Sequence, residues 1–168
     1  MIVYHGSNTE INTIKLEKCN KYKDFGQGFY VTTIEEQAER MARRTVQRFG
    51  GIPTVTKFEL NEELLRELKY KNFKKIDNDW AIFIINNRDR EFKDISNALS
   101  NHDNKYDIVF GAVANDDIAT TFALYKDGFI TSEILTDRLK FKKLSNQYSF
   151  HTENAIALLK KVGVKKYE

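Results

Sequence analysis

Residues 24–32 read DFGQGFYVT. Two alternating glycines, Gly26 and Gly28, permit an unusual backbone conformation ahead of an aromatic pair. The run from Phe29 to Thr32 is aromatic and β-branched, which predicts a short strand. Tyr30 on such a strand can expose a planar ring in a cleft and stack on a flat heteroaromatic ring. The alternative is a glycine-rich hairpin in which Tyr30 belongs to the core.

Two familiar motifs match part of this stretch but not its context. The tripeptide from Asp24 to Gly26 matches the metal-binding tripeptide of protein kinases, but the other kinase motifs do not accompany it. The glycines lack the third glycine and the strand-to-helix setting of a dinucleotide-binding Rossmann turn. We therefore retain neither interpretation.

A helix is predicted directly after this strand. Thr33, with Glu36 three residues later, forms a capping box that opens a helix running to about Phe49. Gly50 and Gly51 follow it and predict its end, because glycine readily adopts the backbone conformation that terminates helices.

Short strands and helices alternate irregularly along the rest of the chain. Apolar or alternating β-branched runs predict strands over residues 2–4, 54–60, 106–114, 143–150 and 164–167. Capping residues and helical spacing predict helices over residues 61–69, 80–87, from 115 or 116 to about 126, from 131 or 132 onward, and 152–162. Asp77 or Asp79 is the candidate cap of the helix at 80–87, and Thr152 is that of the last helix. This irregular order favours an α+β fold in one domain spanning residues 1–168.

The composition is that of a globular protein. The chain has 168 residues, of which 41% are hydrophobic, and this is enough for one buried core. A single cysteine, Cys19, excludes an internal disulfide framework, so we expect a cytoplasmic protein. No run approaches the roughly 20 apolar residues of a membrane span, so we expect no membrane association. The net charge of +3 is mild. A solvated surface is the common explanation for the lysine runs toward the C-terminus, and contact with a phosphate backbone is the alternative.

Two further motifs carry groups suited to ligand binding. At the end of the first predicted strand, residues 4–7 read YHGS. A histidine, a glycine and a hydroxyl suit an amide and a ribose, because the glycine lets a ligand approach the backbone. A strand that ends in a turn is the alternative. Residues 146–151 read NQYSFH, which places polar side chains on an aromatic strand, either at a sheet edge or in a site.

Taken together, the three motifs resemble the His-Tyr-Glu branch of the ADP-ribosyltransferase superfamily, the branch of diphtheria toxin and the poly(ADP-ribose) polymerases. The closer likeness is to a bacterial toxin-like family with the motifs Tyr-His-Gly-Ser, Phe-Gly-x-Gly-Phe-Tyr-x-Thr and Gln-x-Ser-Phe-His-Thr, and it covers nearly the whole chain. It implies a split β-sheet with flanking helices and NAD as substrate. It also implies mono-ADP-ribosylation of a macromolecule, protein or nucleic acid, by a toxin or defence effector with an antitoxin partner.

The resemblance implies roles for individual residues. His5 would hydrogen-bond a ribose hydroxyl of NAD. The backbone of Gly6 would hold the nicotinamide carboxamide, with support from Ser7. Tyr30 would stack against the nicotinamide ring, and Gly28 would belong to the cofactor-binding turn.

Gln147 stands where this branch has its catalytic glutamate. Cleavage of the nicotinamide–ribose bond builds positive charge on the ribose, which a carboxylate would stabilise. A glutamine offers the hydrogen bond without the charge, so we do not expect polymerisation. Transfer with another carboxylate, slow transfer by positioning alone, and binding without turnover all stay open. Candidate carboxylates are Asp116, Asp117 and Glu153, although helix capping and the helix dipole explain each of them.

Alternative functions follow from the same residues. An NAD glycohydrolase would give the ribosyl group to water, and a non-catalytic module would bind NAD or a partner protein without turnover. No group of histidines, cysteines and carboxylates has metal-ligand spacing, so we expect no metal. Arg88, at the end of the predicted apolar helix, is a candidate for the pyrophosphate, and the helix dipole is its alternative explanation.

Overall fold

The computed structural model describes residues 1–114, 119–139 and 145–168. The strands in these ranges are β1 (Ile2–Ser7), β2 (Phe29–Val31), β3 (Thr54–Leu60), β4 (Tyr70–Asn72), β5 (Ile108–Gly111), β6 (Gln147–Phe150) and β7 (Leu159–Lys166). The helices are α1 (Glu35–Phe49), α2 (Asn78–Arg88), α3 (Ala119–Lys126), α4 (Ser132–Leu139) and α5 (Glu153–Ile156).

The strands form two sheets. One is antiparallel, in the order β1-β3-β7. The other has the order β2-β6-β5-β4, in which β4 and β5 run parallel and the remaining pairs antiparallel. Mainly antiparallel sheets combined with helices make an α+β architecture, which agrees with the prediction from the sequence.

A short bridge joins the two sheets. The Tyr4 N–H donates to the Thr32 carbonyl at 2.8 Å, and the Thr32 N–H donates to the Tyr4 carbonyl at 2.9 Å. Within the described residues this pairing stays an isolated bridge and does not extend into a ladder. The sheets therefore touch between β1 and β2, and the residues on either side of the bridge are left to line a cleft.

Buried apolar side chains form two clusters. One surrounds α2, which is buried on nearly all sides, and it includes Phe25, Trp80, Phe83 and Ile84. Of the two candidate caps of α2, Asp77 is the one that the structure uses, and it accepts from the Trp80 N–H at 3.0 Å. The other cluster is built from both sheets and includes Val3, Phe58, Ile108 and Phe150.

Helix α1 packs closely on β1 through small residues. Its buried side chains are Ala38 and Ala42, and Gly6 of β1 lies opposite them. A Cβ on Gly6 would lie 1.9 Å from the Ala38 carbonyl oxygen. Only glycine therefore lets the helix approach the strand this closely. Gly50, with φ of +73°, ends the helix as the sequence predicts.

The predicted capping box at the start of α1 is wrong. The helix begins at Glu35, after an Ile34 that has no side-chain cap. The Thr33 hydroxyl instead accepts a hydrogen bond from Asn146 Nδ2 at 2.8 Å, and the Thr33 N–H donates to Asn146 Oδ1 at 3.0 Å. A partner 113 residues away has taken the place of the local cap.

The predicted C-terminal helix is also wrong beyond its first turn. Thr152 caps it as expected, accepting from the Ala155 N–H at 3.3 Å, but α5 ends at Ile156. Strand β7 begins at Leu159 rather than Val164, because it pairs with β3 along its length. Its lysines lie on an edge strand, where charged side chains are tolerated and hinder further pairing.

Other elements differ in extent from the predictions. β1 continues through His5, Gly6 and Ser7 instead of turning there, and β5 covers only part of the predicted strand over 106–114. A 3₁₀ helix over Glu63–Glu67 replaces the predicted helix at 61–69, and β4 was not predicted. The helix caps predicted at 115 or 116, and the start of the strand predicted from 143, lie outside the described residues.

Candidate functional site

A cleft of about 900 Å³ opens beside the Tyr4–Thr32 bridge, between β1, β2, the start of β6 and one face of α1. Its volume lies within the ~300–1,000 Å³ typical of small-molecule sites. The lining includes all six residues that the sequence analysis placed in the site, namely His5, Gly6, Ser7, Gly28, Tyr30 and Gln147. Residues from opposite ends of the chain therefore share one cleft.

His5 is held in one orientation by its neighbours. Its Nδ1 lies 2.7 Å from the Tyr30 carbonyl oxygen, and its ring stacks on Phe29 with 4.3 Å between centroids. Since a carbonyl only accepts, Nδ1 carries the proton. Burial lowers the pKa of His5, so the ring is neutral near pH 7. Nε2 is then the nitrogen that remains to accept a hydrogen bond from a ligand.

Gly6 and Ser7 follow His5 along the cleft wall. The sequence analysis explained Gly6 by the approach of a ligand to the backbone. In the structure the α1 backbone occupies the position of its missing side chain. The glycine is thus explained by helix packing, which brings α1 to the cleft.

Tyr30 lines the cleft, and its side chain reaches the glycine turn that precedes β2. Its hydroxyl donates to the Gly26 carbonyl at 2.7 Å and accepts from the Phe25 N–H at 2.9 Å. Burial, above all, raises the pKa of Tyr30 well beyond its ordinary value, so the phenol stays protonated. The turn engages the hydroxyl, which leaves the ring as the candidate surface of Tyr30 for a ligand.

The glycine turn itself depends on two different constraints. Gly26 has φ of +94°, a left-handed conformation that favours glycine. A Cβ on Gly28 would lie 2.7 Å from both His151 Nδ1 and the Phe150 carbonyl oxygen. Gly28 is therefore required by packing against the end of β6.

His151 supports this turn from inside the protein. It is 2% exposed, its Nδ1 donates to the Gln27 carbonyl at 2.8 Å, and its Nε2 lies 2.7 Å from the Ser149 hydroxyl oxygen. Burial lowers the pKa of His151 to about 4. The histidine is thus a neutral, hydrogen-bonded core residue that ties β6 to the glycine turn.

Gln147 lies at the start of β6 with its carboxamide oriented by two acceptors. Nε2 donates to Asp24 Oδ2 at 2.7 Å and lies 3.5 Å from the Ala112 carbonyl oxygen. Both partners are oxygens that accept, so they fix which end of the carboxamide is the nitrogen. Oε1 is the atom that remains for a ligand in the cleft.

Asp24 is the carboxylate that sequence reasoning missed. It is 4% exposed and forms a salt bridge with Arg88, whose Nε donates to Oδ1 at 2.7 Å. Asp24 stands at the start of the glycine-rich motif, where it matches the kinase tripeptide. The signal available was a charged residue in an otherwise apolar, glycine-rich stretch, which is costly to bury without partners.

The other predicted candidates do not join the cleft in the described residues. Arg88, the candidate for a pyrophosphate contact, is paired with Asp24 and is not among the residues that line the cleft. Glu153 is exposed in the first turn of α5, away from the cleft lining. Asp116 and Asp117 lie outside the described residues.

The described lining carries more positive than negative side chains. Its cationic residues are Lys23, Arg40, Arg44 and Arg138, and Asp137 contributes a carboxylate. A concave surface with such an excess attracts anionic ligands. Cys19 lies in the same lining, and burial raises the pKa of its thiol, which disfavours a reactive thiolate.

The described ranges contain neither a candidate metal-ion cluster nor a helix that could span a membrane. No group of three or more histidines, cysteines or carboxylates is placed to hold a metal ion there. None of the helices in those ranges combines the length and apolarity that crossing a bilayer requires.

Fold and site together define an α+β protein with two bridged sheets and a cationic cleft at their junction. The chain belongs to the family described as Protein of unknown function (DUF3990), which matches residues 1–161. No curated protein and no solved structure gives a significant match.

Proposed function

We propose that this protein is an NAD-dependent mono-ADP-ribosyltransferase with the split-sheet fold of that superfamily, acting on a macromolecule as a bacterial toxin or defence effector. The observation that supports this most is the convergence of His5, Tyr30 and Gln147 in one cleft. Their motifs lie on three strands from two sheets, up to 142 positions apart in the sequence (147 minus 5), and the proposal requires them to meet.

The shape and charge of the cleft suit NAD. The Tyr30 ring offers a face for the nicotinamide, since its hydroxyl is occupied by the glycine turn. The neutral His5 ring can accept from a ribose hydroxyl through Nε2. The two negative charges of the pyrophosphate match the cationic residues of the lining, and arginine forms strong paired hydrogen bonds with phosphates.

The proposed reaction breaks the bond between the nicotinamide nitrogen and C1′ of the ribose. The bonding electron pair leaves with the pyridinium nitrogen, which gives neutral nicotinamide. C1′ becomes an oxocarbenium-like centre, and a nucleophile of the acceptor forms the new bond to it and loses a proton to solvent. The products are ADP-ribosylated acceptor, nicotinamide and H⁺. Hydrogen-bond acceptors fixed near the ribose stabilise the positive charge that develops.

Labelled NAD tests the proposal. The protein is incubated with NAD labelled in the adenylate part and with cell lysate, and the polymer fraction is digested with protease or nuclease. We expect nicotinamide release and label on a polymer, and sensitivity to one digestion identifies the acceptor class. Free ADP-ribose as the main product would instead show an NAD glycohydrolase. Binding of NAD without release of nicotinamide would show a binding module.

A matched pair of variants tests whether NAD binds in the cleft. His5→Ala removes a lining side chain and should abolish the NAD-induced rise in melting temperature. His102→Ala is the control, because His102 also bonds a backbone carbonyl, that of Asn86 at 2.7 Å, but does not line the cleft. An equal loss in both variants, or none in His5→Ala, would contradict NAD binding at this site.

A further inference from the structure

The strongest feature that the sequence analysis does not contain is the buried contact between Asp24 and Gln147. Four donors surround the Asp24 carboxylate. Gln147 Nε2 and the Ala114 N–H reach Oδ2 at 2.7 and 3.1 Å, and the Arg88 guanidinium donates to Oδ1 through Nε and a terminal nitrogen. A carboxylate that is almost completely buried would be costly without such partners. The arrangement is therefore a built polar network directly behind the cleft.

We propose that Asp24 is a positioning residue that turns the Gln147 carbonyl oxygen toward the ribose of NAD, a role that rests on the proposed function. A free glutamine can present either end of its carboxamide to a ligand. The Asp24 carboxylate can only accept, so it holds Nε2. Oε1 is thereby left to accept a hydrogen bond from a ribose hydroxyl.

The charge of Asp24 also strengthens that oxygen as an acceptor. A hydrogen bond from an amide N–H to an anion is stronger than one to a neutral group and polarises the amide, which places more negative charge on its oxygen. Arg88 forms a salt bridge with Asp24 and holds its Oδ1 on the side away from Gln147. The three residues form a chain in which Arg88 supports Asp24 and Asp24 orients Gln147.

The same geometry explains why a glutamate does not fit at position 147 in this chain. A carboxylate there would lie against the carboxylate of Asp24, and two like charges in a buried contact cannot both be accommodated. The negative charge next to position 147 therefore stands on Asp24, behind the cleft lining. Gln147 transmits its effect to the cleft.

Three variants test this role through the rate of nicotinamide release. Asp24→Asn lets the Gln147 carboxamide turn either way, so we expect kcat to fall roughly 10- to 100-fold with little change in KM. Gln147→Glu alone creates the carboxylate contact and should also be slow. The exchange Asp24→Asn with Gln147→Glu again pairs an amide with a carboxylate, and we expect its kcat to exceed that of both single variants.

Rescue by the exchange separates positioning from structural support. A purely structural Asp24 predicts that the double variant is at least as impaired as the worse single variant, and that result would overturn the proposal. Equal kcat in wild type and Asp24→Asn would overturn it as well. Circular dichroism and thermal unfolding of each variant identify any that do not fold.

A measurement on the wild-type protein tests the contact without NAD or turnover. In a ¹H–¹⁵N spectrum, the side-chain amide of Gln147, assigned by its loss in Gln147→Glu, should have one proton shifted downfield and protected from exchange. The exposed Gln47 is the internal reference. A Gln147 signal like that of Gln47 would refute the proposed orientation by Asp24. If the signal is shifted but NAD does not bind, the contact between Asp24 and Gln147 is confirmed. The proposed function then fails, and the role of Asp24 toward the ribose fails with it.

Discussion

Burial sets the protonation of the two histidines that flank the glycine turn. His5 contributes a neutral ring to the cleft wall, and His151 contributes a neutral ring to the core. Both rings donate through Nδ1 to a backbone carbonyl, that of Tyr30 or of Gln27. Nδ1 can donate this bond in either protonation state, but burial outweighs the bond and lowers the pKa of both histidines, which favours the neutral rings.

Acidification should destabilise the fold through His151. Its pKa is about 4 in the folded protein against 6.5 for the free side chain. Between pH 4 and 6.5, the unfolded chain therefore binds a proton at His151 that the folded protein does not bind. The stabilisation is complete above pH 6.5 and is lost as the pH falls toward 4, by about 3 kcal/mol in total. Urea unfolding at pH 7, 5.5 and 4.5 measures this loss.

The variant His151→Gln provides the comparison for that titration. Glutamine retains a donor and an acceptor for Gln27 and Ser149 but does not titrate. We expect lower stability at pH 7 and a shallower dependence of the unfolding free energy on pH between 4 and 6.5. His5 contributes in the same direction, since burial lowers its pKa too. An identical pH dependence in variant and wild type would exclude His151 as the cause.

The sequence predicts some residues of the candidate site and not others. His5, Tyr30 and Gln147 stand in motifs, and the structure brings them to one cleft. The role of Asp24 could not be predicted, because its partners Arg88 and Gln147 lie 64 and 123 residues away. Local patterns contain no information on which distant donor a buried carboxylate will meet.

At the scale of elements, the sequence predicts those helix ends that are formed by contacts between neighbouring residues. The end of α1 at Gly50 and the cap of α2 at Asp77 depend on neighbouring residues, and both are confirmed. The start of α1 depends on Asn146 and the extent of β7 on pairing with β3. These boundaries were missed because tertiary contacts override local propensity.

The contact between α1 and β1 gives a sharp test at this scale. Gly6→Ala places a Cβ 1.9 Å from the backbone oxygen of Ala38, so the helix must move or the strand must distort. We expect a loss of about 3 kcal/mol or more in the free energy of unfolding, measured with urea. The shape of the cleft should change as well, because α1 forms one of its walls.

Gly163→Ala in β7 is the matched control for that substitution. The nearest atoms to its added Cβ belong to the Lys57 side chain at 3.8 and 3.9 Å, which is ordinary contact. Its stability should stay within about 1 kcal/mol of wild type. Similar stabilities for the two variants would show that close packing of α1 is not what requires Gly6.

At the scale of the whole molecule, the site exists only when both sheets are assembled. His5 comes from one sheet, Tyr30 and Gln147 from the other, and the Tyr4–Thr32 bridge sets their relative position. The sequence predicted an α+β fold, but not the order of the strands, which depends on long-range pairing. The function proposed from the three motifs thus depends on the contact between the two sheets, which no single motif specifies.

The proposed function predicts an effect of the whole protein on cells. Induced expression in bacteria should slow growth, because transfer of ADP-ribose consumes NAD and modifies an essential macromolecule. His5→Ala and Tyr30→Ala should each restore growth, measured as doubling time after induction. Phe129→Ser, at a side chain that is 76% exposed and does not line the cleft, should stay as toxic as wild type. Immunoblots must show equal protein levels, and equal toxicity of all four proteins would rule out the cleft as the source of the effect.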